Sequence, residues 1–329
     1  MKKLIFAALA LFVLSSFQQE RRTTIFMIGD STMADKDISK GSPERGWGMV
    51  LKCYFDDNIR IDNHARNGRS SKSFIDEGLW EKVRRQIHPG DYVIIQFGHN
   101  DEKPQPQRHT DPGSTFDYNL RRFIRETREQ GGIPILMNAV VRRNFQKVAV
   151  KNDDDEALRN TTYQQQAPEE GDSLVETHGM YVVAPRDIAR EMNVAFVDAD
   201  SITFNLEQRL GAESTKQLHM WLKPGEIASI PAGRQDNTHY NVKGAHTVAR
   251  LLRDAIVAEV PILQKYTLNY DIAVSSEGRG DYMSLDEAIR AVPAGQSATI
   301  QILDGTWDKP VLPRKSKIQF ILRRNANWK

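Results

Sequence analysis

The chain has 329 residues, of which 40% are hydrophobic and 27% charged. Those proportions exclude a wholly disordered, collagenous or multi-span membrane protein, and the length fits one large domain with something smaller, or two domains. Lysine and arginine total 45 against 43 acidic residues, and taking away Lys2 and Lys3 leaves 43 against 43, so charge gives no reason to expect a nucleic-acid partner.

Residues 1–19 place two lysines before an apolar run from Leu4 to Leu14 and then small serines, the order of an export signal. The run is shorter than the roughly 20 residues a bilayer span needs. An exported protein, periplasmic or extracellular and without a stable membrane anchor, is therefore expected. The sole cysteine, Cys53, allows no internal disulfide and is expected to be an inert buried thiol.

Five buried strands are expected in TTIFMIGD, NIRIDNHA, DYVIIQFG, GIPILMNAV and VAFVDAD. Between the third and fourth, Phe116, Leu120, Phe123, Ile124 and Thr127 recur at helical spacing, with Gly131 and Gly132 as the stop. Ile188 and Met192 suit another helix, and Asn241 reads as the N-cap of a final one whose apolar stripe runs through Val242, Ala245, Val248, Ala249, Leu252 and Ile256. This alternation predicts an α/β doubly wound parallel sheet over residues 22–265. The polar stretch at 150–171 reads as a long surface excursion.

Ligands of an open α/β sheet bind beyond the carboxyl ends of its strands. The first strand ends in Gly29-Asp30-Ser31-Thr32, the second runs on to Asn67-Gly68-Arg69-Ser70, and the third ends in Gly98-His99-Asn100-Asp101. Asp236 and His239 sit just before the last helix. Acyl transfer requires such a set. A serine needs an imidazole to take its proton, the imidazole needs a carboxylate to hold its tautomer, and the oxyanion needs fixed N–H donors. Ser31 is the expected nucleophile, His239 the base and Asp236 its partner. The backbone N–H groups of Ser31 and Gly68 and the Asn100 amide are the expected oxyanion hole. His64, His99 and His109 lack the spacing of a zinc site, and Asp153–Glu156 lacks the glycine of a calcium loop, so no metal or other cofactor is expected. Trp47 is expected in the core or lining a sugar subsite.

The blocks Gly29-Asp30-Ser31, Gly68, Gly98-His99-Asn100-Asp101 and Asp236-x-x-His239 resemble those of the SGNH (GDSL-type) hydrolase superfamily. The fuller strings GDSTM, NHARNGRSSKSF, FGHND and DNTHYNVKGA resemble its rhamnogalacturonan acetylesterase branch, carbohydrate esterase family 12. That resemblance implies a flavodoxin-like fold and a metal-free serine esterase removing O-acetyl groups from pectic polysaccharide, with the same site residues. The alternatives are an esterase on another acetylated glycan such as xylan, an esterase on lipid, or a non-catalytic carbohydrate-binding protein. The absence of a long apolar lid weighs against lipid, and the complete triad against a mere binding module.

A pectic backbone carries carboxylates, so cations near the site are candidate substrate contacts. Arg66, Arg69, Lys72, His99 and Lys103 lie at the second and third strand ends, and Lys243 opens the last helix. The alternative reading is that most of these cations only solvate the rim. Residues 266–329 read as a strand, a Gly turn, a short helix, then two strands with a Gly turn between them. They resemble the opening of a pectin methylesterase and are expected to be an incomplete start of its parallel β-helix, too short for the roughly three coils such a core needs.

Overall fold

The computed structural model describes residues 21–145, 170–312 and 317–329, so the expected leader and nearly all of the 150–171 excursion lie outside the described residues. The strands of the main body are β1 (Thr24–Gly29), β2 (Glu44–Arg45), β3 (Arg60–Asn63), β4 (Tyr92–Gln96), β5 (Ile133–Met137), β6 (Ala195–Val197), β7 (His219–Leu222) and β8 (Arg234–Asn241). Five of them form a parallel sheet in the order β3-β1-β4-β5-β6, which contains all five strands expected from sequence.

Side-chain alternation divides that sheet between two cores. Ile25, Met27, Ile94, Ile135 and Met137 face one side, where the helix Val242–Glu259 lays down Ala245, Val248, Ala249, Leu252 and Ile256. Phe26, Ile28, Val93, Ile95 and Leu136 face the other, against Phe116, Leu120, Phe123 and Ile124 of the helix Thr115–Glu129 and Ile188 of the helix Met180–Met192. Both faces of the central strands β1, β4 and β5 are covered, which is why these read as continuous apolar runs; the edge strand β3, expected to be buried, is only partly so. Asn241 caps the last helix as expected, its side chain accepting from the Gly244 N–H at 3.0 Å. Trp47 is fully buried and donates to Gln96 Oε1 at 2.9 Å, which makes it a core residue and removes it from any sugar subsite.

Two further sheets flank the first. A three-stranded sheet in the order β2-β8-β7 is antiparallel. Its strands carry few apolar residues and give no clear sequence signal. The C-terminal strands β9 (Ile272–Val274), β10 (Ser297–Trp307) and β11 (Lys317–Trp328) pair in parallel, in the order β11-β10-β9. Gly305 is not the turn expected between the last two strands. It continues β10 at φ 90°, and β10 and β11 pair in parallel, so the two strands do not form a hairpin.

The C-terminal sheet is fastened to the main body by buried polar contacts. Gln301 Nε2 donates to Cys53 O at 2.7 Å, and the buried Arg323 donates to Phe55 O at 2.6 Å and pairs with Asp57 at 3.0 Å. Cys53 is buried, its Sγ 3.0 Å from Arg279 O, and burial pushes its thiol well above the ordinary range. Truncating Arg323 to Ala leaves the Phe55 carbonyl and part of Asp57 without partners. Urea denaturation of this variant is expected to show a loss of about 1–3 kcal/mol; an unchanged midpoint would mean that this contact carries no stability.

Candidate active site

The end of β1 turns sharply. Met33 and Ala34 donate to the Asp30 carbonyl, while Asp30 Oδ1 accepts from the Thr32 N–H at 2.9 Å and its hydroxyl at 2.8 Å. This turn presents Ser31 beyond the sheet edge. Gly46 is required beside it, because a Cβ there would lie 2.2 Å from the Ala34 carbonyl oxygen. The chain leaving β3 stays alongside β1, with His64 donating to Met27 O and Arg66 to Gly29 O, and so delivers Gly68 next to the Ser31 turn. Gly68 has φ 70°, a left-handed conformation that favours glycine. Asn100 follows β4; its Nδ2 donates to Arg69 O at 3.2 Å, and its Oδ1 accepts from Arg108 at 3.2 Å. The backbone N–H groups of Ser31 and Gly68 make no hydrogen bond to a described residue.

Asp236 and His239 belong to β8, and a break in the ladder aims them. Tyr240 pairs with His219 and Asp236 with the next β7 residue, Met220, which leaves Asn237, Thr238 and His239 bulged out. Asp236 Oδ1 accepts from the backbone N–H groups of Thr238 at 2.8 Å and His239 at 3.0 Å, an Asx-type turn. Its Oδ2 accepts from His239 Nδ1 at 2.7 Å, and His239 Nε2 lies 2.9 Å from Ser31 Oγ. The buried Arg143 pins the bulge by donating to Asn237 Oδ1 at 3.1 Å. Burial alone would raise the Asp236 carboxyl, but the His239 charge and its N–H donors outweigh it and hold the group below the usual carboxylate range.

The expected substrate contacts separate into different environments. Arg69 lines a cleft of about 470 Å³ with Asn67, Gly68, Gln107 and Arg108, where it pairs with Glu77 at 2.9 Å. Arg66 is exposed, and Lys72 pairs with Asp76 at 2.6 Å along its own helix. His99 and Lys103 depart from expectation, because both are fully buried and neither forms a cationic rim. Burial, reinforced by His178, Arg142, Lys103 and His239, holds the His99 imidazole far below its ordinary range and hence neutral. Lys243 does not line this cleft; it bonds Gln217 Oε1 at 2.9 Å and borders a separate groove. Asp101 is structural: it accepts from the Ser71 N–H and hydroxyl at the start of the helix Ser71–Asp76 and from Thr110, and burial raises its carboxyl to about 7.

Sequence reasoning missed two groups. Arg108 reaches both the cleft and the Asn100 amide. Lys36, nearly buried, donates to the Ser31 carbonyl at 2.5 Å and to Asn67 Oδ1 at 2.7 Å. It also pairs with Glu44 at 3.0 Å, and Glu44 with Arg234 at 2.9 Å. Only its closeness to Ser31 in sequence hinted at this bridge.

Residues 27–247 match the model of the GDSL-like Lipase/Acylhydrolase family. The match stops short of the C-terminal sheet and lends no support to the pectin methylesterase-like reading of residues 266–329. The chain is 35% identical over 232 residues to the rhamnogalacturonan acetylesterase RhgT of Bacillus subtilis, covering 70% of this chain and 88% of that one. It is 25% identical over 252 residues to a rhamnogalacturonan acetylesterase of Emericella nidulans, covering 76% and 91%. The crystal structure of the Bacillus subtilis protein YxiM is similar in fold, with a TM-score of 0.56 at 24% identity, and the match spans 73% of this chain and 57% of that longer one.

Lys36 ties the turn bearing Ser31 to the loop bearing Gly68, so its loss should loosen their spacing without emptying the cleft. For Lys36→Met, hydrolysis of p-nitrophenyl acetate is expected to show kcat down by about 10- to 100-fold with KM little changed. Wild-type kcat would show that the bridge is dispensable.

Proposed function

We propose that this chain, which belongs to the GDSL-like lipase and acylhydrolase family and is a carboxylic ester hydrolase, removes O-acetyl groups from pectic polysaccharide, with rhamnogalacturonan as its preferred substrate. The observation that carries the reading is the unbroken chain Ser31 Oγ, His239, Asp236, with contacts of 2.9 and 2.7 Å, beside a cleft walled by Arg69 and Arg108. The named activities of the two relatives support the choice of ester and polymer. The basic and apolar order of residues 1–19 supports export. Among the described residues no helix is long and apolar enough to cross a membrane.

In this reading Ser31 Oγ attacks the acetyl carbonyl carbon while His239 Nε2 takes the hydroxyl proton. The negative charge that develops on the carbonyl oxygen is met by the N–H groups of Ser31 and Gly68 and by the Asn100 amide. Collapse expels the sugar oxygen, which receives the proton from His239 and leaves as the free hydroxyl. Water, deprotonated by the same imidazole, then attacks the acetyl-serine and releases acetate and Ser31. Asp236 stays ionised throughout and holds the Nδ1–H tautomer. None of the residues named in these steps lies in the C-terminal strands, and we assign residues 22–265 as the esterase unit.

Two measurements test the triad. Asp236→Asn is expected to lower kcat by about 10⁴-fold with the fold retained, because the imidazole is left in the wrong tautomer. Asp236 is held below the carboxylate range and therefore remains charged at every pH above about 4. An acid limb of kcat/KM above that range must then come from the base, which has to be neutral to accept the serine proton. A kcat/KM that does not fall on acidification while Asp236 stays charged, with chemistry limiting, removes His239 from the role.

Two arginines at the cleft distinguish among polymers. Acetate release from acetylated rhamnogalacturonan is expected to exceed release from acetylated xylan at low salt. The margin is expected to narrow as ionic strength rises, since exposed charges are screened over about 10 Å at 0.1 M. Equal rates on the two polymers at low salt would overturn the pectic assignment and leave a less selective acetylesterase.

A further inference from the structure

A second groove, of about 620 Å³, lies where the start of the helix Val242–Glu259 meets the C-terminal strands. Arg209, Lys243 and Arg250 border it, and all three are exposed. Arg209 and Arg250 make no ion pair with any described residue, and Lys243 is bonded only to the neutral Gln217 amide. The two carboxylates on the opposite wall are committed to the sheet: Asp271 accepts from the Thr299 N–H and Asp281 from the Ala273 N–H, each at 2.7 Å. The groove thus carries three cations against two acids, and none of the three is ion-paired among the described residues, unlike Arg69 of the first cleft, which pairs with Glu77.

The remaining walls suit a sugar. Ile272, Leu251 and the Tyr282 ring offer apolar surface for the C–H faces of pyranose rings. Guanidinium groups bind carboxylates bidentately, and two of them on one groove fit a ligand that carries carboxylates at intervals. We propose that this groove is a second, non-catalytic binding site for a uronate-bearing polysaccharide, formed jointly by the esterase body and the C-terminal strands. The natural ligand rests on the pectic reading of the catalytic site. Val242 follows directly on the strand that carries His239, so a chain held here is kept close to the triad and its acetyl groups are presented at raised local concentration.

Unacetylated polygalacturonate tests the groove independently of catalysis. In native gels containing it, the full chain is expected to be retarded, and retardation should weaken as salt is raised. The double variant Arg209→Gln, Arg250→Gln is expected to bind about five-fold more weakly, with p-nitrophenyl acetate turnover and Tm unchanged. Acetate release from dilute acetylated pectin should fall through KM rather than kcat. A wild-type chain that is not retarded, or a double variant retarded equally, would overturn the proposal. Loss of p-nitrophenyl acetate hydrolysis in the wild type would instead refute the esterase reading, and the gel result would still stand for the groove.

Discussion

The Asp236 carboxylate organises the centre of this molecule by accepting three hydrogen bonds at once. Two come from the backbone N–H groups of Thr238 and His239 and fold the chain into the bulge; the third comes from the His239 ring. The group that shapes the loop thus also selects the tautomer, so the backbone cannot relax without releasing the imidazole. Buried carboxylates survive only with such donors, and here the donors are also the machinery. Asp101 acts similarly at the other lip, where it fastens the start of the helix Ser71–Asp76 behind Gly68 and Asn100.

The central strands of the parallel sheet were legible because they are buried on both faces and therefore apolar, whereas the edge strand β3, expected to be buried, is Arg-Ile-Asp-Asn and is half-buried to exposed. The helices that cover the sheet were legible as well, and their stripes at Phe116–Thr127 and Ala245–Ile256 pack as their spacing requires. The strand-end glycines and polar residues pointed to one edge, and there the structure brings Ser31 within bonding distance of His239. The antiparallel sheet was not legible. Its strand β8 is Arg-Gln-Asp-Asn-Thr-His-Tyr-Asn, a sequence with no apolar alternation, held as a strand by its neighbours and by Arg143 rather than by propensity.

Cation placement was the weakest inference, for a physical reason. Position near a motif in sequence fixes the Cα, while a lysine or arginine reaches several ångströms in any direction its neighbours allow. Lys103 turned inward, Lys72 took its own helix's Asp76, and Lys243 turned to Gln217 and borders a separate groove. Lys36, passed over in sequence, turned toward Ser31 because Glu44 and Asn67 wait there. Which partner a long side chain finds depends on elements distant in the chain. The same holds for Arg323, two of whose partners, Phe55 and Asp57, lie more than 260 residues away.

The line Lys36–Glu44–Arg234 has a mechanical meaning. Glu44 lies on β2, which pairs with β8 through Glu44–Asn241 and Arg45–Tyr240, and β8 also carries Arg234 and His239. The serine turn is therefore suspended, through one ammonium group, from the same small ribbon that bears the imidazole. A displacement of that ribbon is thereby coupled through Lys36 to the serine turn, an arrangement that favours a steady separation between Ser31 Oγ and His239 Nε2. Proton transfer is steeply sensitive to that separation and indifferent to where in the molecule it occurs. Such coupling lets a reactive pair keep its register on a moving support.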